Sequence, residues 1–263
     1  MAVAPSGYTP LIRRIEVTSI VAFVVMEGCH FTRLWPGTVE NPWLMLAAVT
    51  AGFLLADFTS GVVHWLADTW GSPDVPVIGK ALLRPFREHH LDQKAITRHD
   101  WVETNGNNCL ICLPAGTGAL LVPVESAWSF FAVAWLAWAM LWVMATNQFH
   151  KWAHQDRPAP VIAFLQRWHV VLPPAHHAIH HSAPYTSHYC ITTGWLNRPL
   201  AAIRFFRGLE WLVTRLTGVL PRADDLDRLG SAITPERCPP APRVAERARE
   251  NALPPRRIGA ERR

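Results

Sequence analysis

Apolar residues collect in four stretches of the chain, each with the length and composition of a helix. They cover about residues 15–34, 42–65, 109–124 and 127–145. A helix needs about 20 apolar residues to cross a bilayer, and the fourth stretch is almost wholly apolar. The first carries Glu27 and His30, and the short third one contains Pro114. The pattern predicts an all-α integral membrane protein with four transmembrane helices.

Composition and charge fit this prediction and orient the helices. Of 263 residues, 50% are hydrophobic, only 17% are charged, and 13 are Trp, which favours the membrane interface. Lys and Arg lie in the N-terminal tail, residues 1–14, and in the segment 66–108, whereas the link between the third and fourth stretches has none. By the positive-inside rule, both termini and the segment 66–108 face the cytoplasm.

The chain divides into three regions. After the tail of residues 1–14 comes a membrane domain, residues 15–233, without a signal-peptide cleavage site behind its first helix. Residues 234–263 are rich in Pro, Arg and Glu, so we expect a disordered basic tail. Cys109 and Cys112 form an isolated C-x-x-C in an apolar stretch, for which packing is the simpler interpretation.

One stripe of the second helix carries ionisable groups. Its members, spaced by four, three and four residues, are Asp57, Gly61, His64 and Asp68. At 100° per residue they lie within about 60° of one another. Ionisable groups at membrane depth suggest function, although a polar contact with other helices is an equal alternative for Asp57.

Further histidines follow at other helix ends. His89 and His90 are adjacent, and His99 follows nine residues later. The end of the fourth helix, "TNQFHKWAH", puts three side chains on one face: Asn147, His150 and His154. The H-x-x-x-H spacing suits a metal ion, but no Glu follows the first His, as a zinc protease of the H-E-x-x-H type would require.

Residues 175–181, "AHHAIHH", contain four histidines, at positions 176, 177, 180 and 181. On a helix they span an arc of about 140°, which is too wide for one metal and suits two. Neutral imidazoles favour Fe, Zn, Cu and Ni, and the chain has no thiolate cluster. The sequence therefore predicts a cytoplasmic helical cap with a histidine-rich di-metal site, and two irons that activate O₂ fit such a site.

Six motifs in order resemble those of the plasmanylethanolamine desaturases: "DFTSGVVHWLADTWGS", "FREHH", "ITRHDWVETNGNN", "NQFHKWAH", "HHAIHH" and "YCITTGWLN". The resemblance runs from about residue 56 to 227 and extends, more distantly, to plant plastid fatty-acid desaturases. It implies a non-haem di-iron oxidoreductase. Such an enzyme uses O₂ and two electrons to convert the 1-O-alkyl chain of an ether phospholipid into a vinyl ether, giving a plasmalogen.

The resemblance also implies which residues bind iron or support its ligands: His64, Asp68, His89, His90, His150, His154, His177, His180 and His181. His99 and His176 match the ether-lipid branch. With Asp57 and Asn147, they are expected to support the ligands or face the substrate. It implies no role for His30, His169 or His188.

The need for an electron-donor partner follows from the redox cofactors for which the chain has no motif. It has no flavin, haem or Fe–S motif, so an external donor, cytochrome b5-like or ferredoxin-like, must supply the electrons. Four cations beside the predicted site could steer an acidic donor or contact the membrane: Arg84, Arg87, Lys94 and Arg98. We expect membrane lipid and no nucleic acid as a partner. The bacterial inner membrane is the expected location, or the endoplasmic reticulum for a eukaryotic protein.

Two alternatives remain at this stage. One is a desaturase or hydroxylase that acts on the acyl chain of a phosphatidyl lipid. The other belongs to a different class, a non-catalytic membrane sensor or adaptor that binds zinc. A metal transporter should carry ligands through the bilayer, whereas these histidines cluster at one face.

Overall fold

The computed structural model describes residues 8–71, 83–182 and 185–222, which contain ten helices and no strand. The helices are α1 (Pro10–Glu40), α2 (Pro42–Thr69), α3 (Arg84–Leu91), α4 (Ala95–Arg98), α5 (Trp101–Leu120), α6 (Ala127–Ala153), α7 (Pro160–Arg167), α8 (Pro174–His180), α9 (Asn197–Ala202) and α10 (Phe205–Thr217). The all-α prediction is confirmed for this part of the chain. Residues 72–82 of the basic segment 66–108 and the predicted tail 234–263 lie outside the described residues, as do residues 1–7.

Four long helices form a bundle. In the contact of α1 with α5, a side chain at Gly106 would strike Glu16, and one at Gly116 would strike Met26. Both pairs advance in the same direction, so α1 and α5 run parallel. Helices α2 and α6 are also parallel, and Gly52 lets α2 approach the backbone of α6. The helix ends that carry histidines therefore meet at one end of the bundle, which we call the site end.

Three of these helices, α1, α2 and α6, are long and apolar enough to cross a membrane. The remaining predicted span, the third apolar stretch at about residues 109–124, corresponds to α5, which does not meet the same criterion among the described residues. Its first two turns, "WVETNGNN", are polar, and its apolar part begins only at Cys109. Cys109 and Cys112 are buried with Phe23, Met26 and Met140, so their observed role is packing.

The helices continue past their apolar parts at the site end. Helix α2 extends to Thr69 and α6 to Ala153, whereas the apolar stretches end at about residues 65 and 145. The buried guanidinium of Arg87 donates to the carbonyls of Trp70 (2.9 Å) and Gly71 (2.7 Å), just beyond the end of α2. It ties α3 to α2, so that histidines on the two helices face each other.

Candidate metal centre

The site end holds two groups of convergent ligand atoms. The five-histidine group consists of His89, His150, His154, His177 and His181. The mixed group consists of His64, Asp68, His90 and His180. In each group one ligand atom per residue lies within 4.8 Å of all the others. The structure thus brings together all nine residues that the sequence analysis predicted to bind or support metal.

Short distances join the imidazoles of the five-histidine group. The Nε2 atom of His177 lies 2.8 Å from that of His150 and 2.9 Å from those of His154 and His181. His154 Nε2 lies 3.2 Å from His150 Nε2 and 3.0 Å from His89 Nε2. These ligands come from three helices, α3, α6 and α8, and from the residues that directly follow α6 and α8.

The mixed group is more open and is built around a carboxylate. Asp68 Oδ2 lies 3.4 Å from the Nε2 atoms of His64 and His180 and 3.3 Å from that of His90. The Nε2 atoms of His90 and His180 are 3.3 Å apart. All four residues are buried.

The arrangement of the donor atoms suits metal coordination better than mutual hydrogen bonding. A neutral imidazole has a single N–H, so five convergent Nε2 atoms cannot all be satisfied by mutual hydrogen bonds. In the mixed group, His64 Nε2 and both Asp68 oxygens are buried without a hydrogen-bond partner among the described residues. Ligands at about 2.1 Å from a metal lie about 3.0 Å apart at right angles and about 3.4 Å apart at the tetrahedral angle. The distances of 2.8–3.2 Å in the five-histidine group match the first value, and those of 3.3–3.4 Å in the mixed group match the second.

Burial keeps the imidazoles in the form that binds metal. It lowers the pKa of His154 to about 4, with a contribution from the charge of Lys94. It also holds the pKa of His89 and that of His177 well below the usual range for histidine, and neighbouring imidazoles lower both further. These side chains are therefore neutral at pH 7, as metal binding requires.

Backbone carbonyls orient two imidazoles of the mixed group. His64 Nδ1 lies 3.1 Å from the carbonyl oxygen of Tyr189, and His180 Nδ1 lies 2.8 Å from that of Ser187. An Nδ1–H that donates to a carbonyl leaves the Nε2 lone pair free for a metal. Sequence reasoning missed these two positions, because any residue type supplies a backbone carbonyl.

The two groups lie side by side. The ring centroids of His90 and His181 are 5.1 Å apart, and those of His177 and His180 are 5.8 Å apart. Helix α8 therefore divides its histidines between the groups, as its predicted arc suggested. His176 belongs to neither group. Its Nε2 accepts from Asn197 Nδ2 at 3.0 Å, outside the two groups.

The other residues predicted to support the ligands or face the substrate lie around the groups. His99 Nε2 lies 3.6 Å from Glu103 Oε1. Asn147 Nδ2 donates to Asn108 Oδ1 at 3.1 Å, between α6 and α5. Asp57 is buried below the groups and accepts backbone N–H groups from a loop.

Three histidines without a predicted role also have contacts. His30 Nε2 lies 3.0 Å from the carbonyl oxygen of Gly116, between α1 and α5. His188 packs on His176, with ring centroids 5.0 Å apart. The carbonyl of His169 accepts from Trp195 Nε1 at 2.6 Å.

Cations near the site are already paired. Lys94 Nζ contacts Asp156 Oδ1 at 2.5 Å and the carbonyl oxygen of His154 at 2.6 Å, while Arg98 pairs with Asp92. The prediction that Arg87 could steer an acidic partner is wrong, because its side chain is buried against the end of α2. The side chain of Arg84 lies outside the described part of the structure.

Comparison with known proteins adds independent information. The lipid desaturase domain family matches residues 53–224. The chain is 55% identical over 224 residues to plasmanylethanolamine desaturase of Myxococcus xanthus, covering 85% of this chain and 80% of that protein. It is 50% identical over 197 residues to plasmanylethanolamine desaturase 1 of Mus musculus, covering 71% of each. It is also 33% identical over 179 residues to the chloroplastic fatty acid desaturase 4 of Arabidopsis thaliana, covering 66% and 53%. No solved structure matches the chain.

Proposed function

The chain belongs to the lipid desaturase family, and from this premise we propose that it is an O₂-dependent oxidoreductase that forms plasmalogens. It removes one hydrogen each from C1 and C2 of the 1-O-alkyl chain of plasmanylethanolamine, leaving a vinyl ether. These two hydrogens, O₂, two electrons and two protons balance as two molecules of water. The observation that carries the proposal is the pair of buried groups with eight imidazoles and one carboxylate.

Iron is the proposed metal of both groups. The nine ligand residues are His89, His150, His154, His177 and His181 in one group and His64, Asp68, His90 and His180 in the other. Two bound irons would supply the reduction of O₂, a reaction that protein side chains do not perform. The protein contributes neutral imidazoles, which tolerate oxidation better than thiolates. Tyr189 and Ser187 hold two of these imidazoles in place.

The ether-lipid substrate is supported by the degree of similarity. The two plasmanylethanolamine desaturases are 55% and 50% identical to this chain, against 33% for the chloroplastic fatty acid desaturase 4. The acyl-chain alternative rests on the more distant relationship. A non-catalytic zinc protein is a poorer match, since these relatives are named as desaturases.

For the membrane topology we propose four spans, residues 15–233 as the membrane domain, and both termini and the metal centre in the cytoplasm. Helix α5 runs parallel to α1 and antiparallel to α6, as the third of four consecutive spans must. Arg13 of α1 pairs with Asp100 at the start of α5. The positive-inside rule supports the orientation. A bacterial inner membrane is the proposed location.

The electron donor is proposed to be a cytochrome b5-like or ferredoxin-like protein. Because Lys94 and Arg98 already pair with aspartates, we expect their charges to contribute little to its docking. Moderate salt should therefore reduce the rate of electron delivery only weakly.

Mass spectrometry of ether lipids tests the function. A plasmalogen-free host that is fed 1-O-alkylglycerol should make acid-labile vinyl-ether lipid with the wild-type chain and none with His177→Ala. His169→Asn is the matched control, because His169 is exposed and its positive φ of 55° suits Asn. No vinyl ether from an iron-loaded wild type with a competent donor would refute the ether-lipid assignment, and new acyl double bonds would support the alternative.

A further inference from the structure

After the ligands of α8, the chain turns down along α2, away from the site end. This descending segment, residues 189–196, starts where the Tyr189 carbonyl meets His64. Its next contact with α2 lies one turn lower, where the backbone N–H of Ile191 donates to Ser60 Oγ at 3.0 Å. The segment therefore follows the helix toward the middle of the bundle.

The carboxylate of Asp57 accepts hydrogen bonds from the part of this segment that is farthest from the site end. Its Oδ1 accepts the backbone N–H groups of Thr193 at 2.8 Å and Gly194 at 2.9 Å. Its Oδ2 accepts that of Leu196 at 3.0 Å. The N–H of Trp195, between them, donates to the Thr193 hydroxyl at 3.2 Å. Side chains thus accept the N–H groups of four successive residues of this irregular backbone.

The lowest contact lies deep along α2. The ring centroids of Trp195 and Phe53 are 5.4 Å apart, and Phe53 precedes His64 by eleven residues, or about 16 Å of helix. Exposed apolar side chains lie on α2 on both sides of this level, at Leu46, Leu54, Val63 and Leu66. Since exposed apolar side chains of a spanning helix meet lipid, Trp195 lies at the depth of the acyl chains.

The chain then returns along α2 toward the site end. Phe205 packs on Phe58, with ring centroids 5.5 Å apart, at the start of α10. Higher up, Trp65 Nε1 donates to Glu210 Oε1 at 3.2 Å. Finally, the backbone N–H of Arg222 donates to the carbonyl of Thr69 at 2.9 Å, at the end of α2. The path down and back is a loop along one helix.

We infer that residues 193–206 form a re-entrant segment that lies among the acyl chains of the leaflet nearer the metal centre, with Asp57 accepting the backbone N–H groups that lipid cannot satisfy. Non-helical backbone is tolerated at membrane depth only where such partners exist. The partner of its outer surface is phospholipid hydrocarbon. Within the segment, Ile203 is 71% exposed and Trp195 45%. The long side chains of Arg198 and Arg204, which are also exposed, extend their charged ends toward the headgroups.

A depth measurement tests the insertion. Spin labels are placed by Ile203→Cys, by Val24→Cys on the lipid-facing side of α1, and by Arg157→Cys beyond the end of α6. The background replaces Cys29, which is exposed, and Cys238 by Ser. In phospholipid nanodiscs, collision rates with O₂ and with a water-soluble nickel chelate report the depth of each label.

The Ile203 label should resemble the Val24 label, with high O₂ and low nickel accessibility. A ratio like that of the Arg157 label would overturn the inference. Variants are compared only when they retain the metal content of the unmodified protein, so that misfolded chains do not contribute.

Hydrogen exchange tests the role of Asp57 separately. Asp57→Ala should raise amide exchange in residues 193–196 by about tenfold or more in nanodiscs, because three donors lose their acceptor. Asp57→Asn, which keeps one acceptor oxygen, should give a smaller increase. Unchanged exchange in Asp57→Ala would show that Asp57 does not hold the segment. If that variant cannot be purified, the depth comparison decides alone.

Discussion

The two ligand groups share one end of the bundle but are stabilised differently. The five-histidine group has only neutral ligands, all carried by or adjoining helices, with Nε2 atoms 2.8–3.2 Å apart. The mixed group has a carboxylate at its centre, wider spacings of 3.3–3.4 Å, and two imidazoles fixed by loop carbonyls. We expect metal binding by the first group to tolerate the loss of one histidine, and metal binding by the second group to depend on each of its four residues and on a neighbouring loop. Substitutions can therefore separate the two groups.

We expect Asp68→Ala to produce the largest difference in metal binding between the two groups. This change removes the only charged ligand and leaves three buried imidazoles without their common partner. We expect the protein to lose about one of two bound metals, together with vinyl-ether formation, because a mixed group of three neutral ligands binds metal weakly. Metal analysis of the purified protein measures the loss. Retention of both metals would contradict the proposed ligand role of Asp68.

A smaller effect is expected from His154→Ala. Four imidazoles remain in the five-histidine group after this change, so we expect metal to stay bound with an affinity reduced about 10- to 100-fold. Competition with a chelator of known affinity measures the change. A loss of metal as complete as in Asp68→Ala would remove the distinction between the two groups.

Gly61→Ala tests the dependence of the mixed group on its loop. A methyl group at Gly61 would lie 2.5 Å from Cys190 Sγ, so the chain next to Tyr189 must move away from α2. We expect the affinity for one metal to fall about tenfold, since the Tyr189 carbonyl no longer orients His64 well.

Two variants control that experiment. Gly28→Ala places the same methyl group on a spanning helix with no atom within 4 Å, and it should leave both metals unaffected. Adding Cys190→Ala to Gly61→Ala removes the closest contact and should restore much of the affinity. If Gly28→Ala weakened metal binding equally, a general effect on helix packing would replace the loop mechanism.

The smallest effect is expected away from both groups, from Arg13→Ala. This side chain pairs with Asp100 at 2.6 Å, but the two side chains are 39% and 55% exposed, and ion pairs in contact with solvent contribute little. We expect the melting temperature to fall by less than about 2 °C and both metals to remain. A scan of thermal unfolding in detergent measures it, and a loss of metal would indicate an unforeseen link between α1 and the centre.

Local periodicity predicted much of the candidate site. The helical spacing of His64 with Asp68 and of His150 with His154 placed each pair on one face, and the arc of residues 176–181 indicated two groups. The apolar stretches also predicted the bundle, although α2 and α6 extend beyond them because polar turns continue each helix outside the lipid.

The rest depends on contacts between distant parts of the chain. Nothing local indicates that His180 joins His64 and His90 while its neighbour His181 joins the other group. The roles of the Ser187 and Tyr189 carbonyls cannot be inferred from the sequence, because every residue type has a backbone carbonyl. The burial of Arg87 could not be predicted either, because a basic residue in a basic segment is normally interpreted as a cytoplasmic residue under the positive-inside rule.

The division of α8 between the two groups has a consequence for biosynthesis. Both groups include ligands from the first half of the chain and from residues 177–181, so neither is complete until α8 has left the ribosome. By then all four long helices have been made, and only then can the membrane bundle bring the early and late ligands together. We therefore expect metal insertion to be a late step of maturation. We expect a chain that stops before residue 177 to insert into the membrane without a complete metal centre.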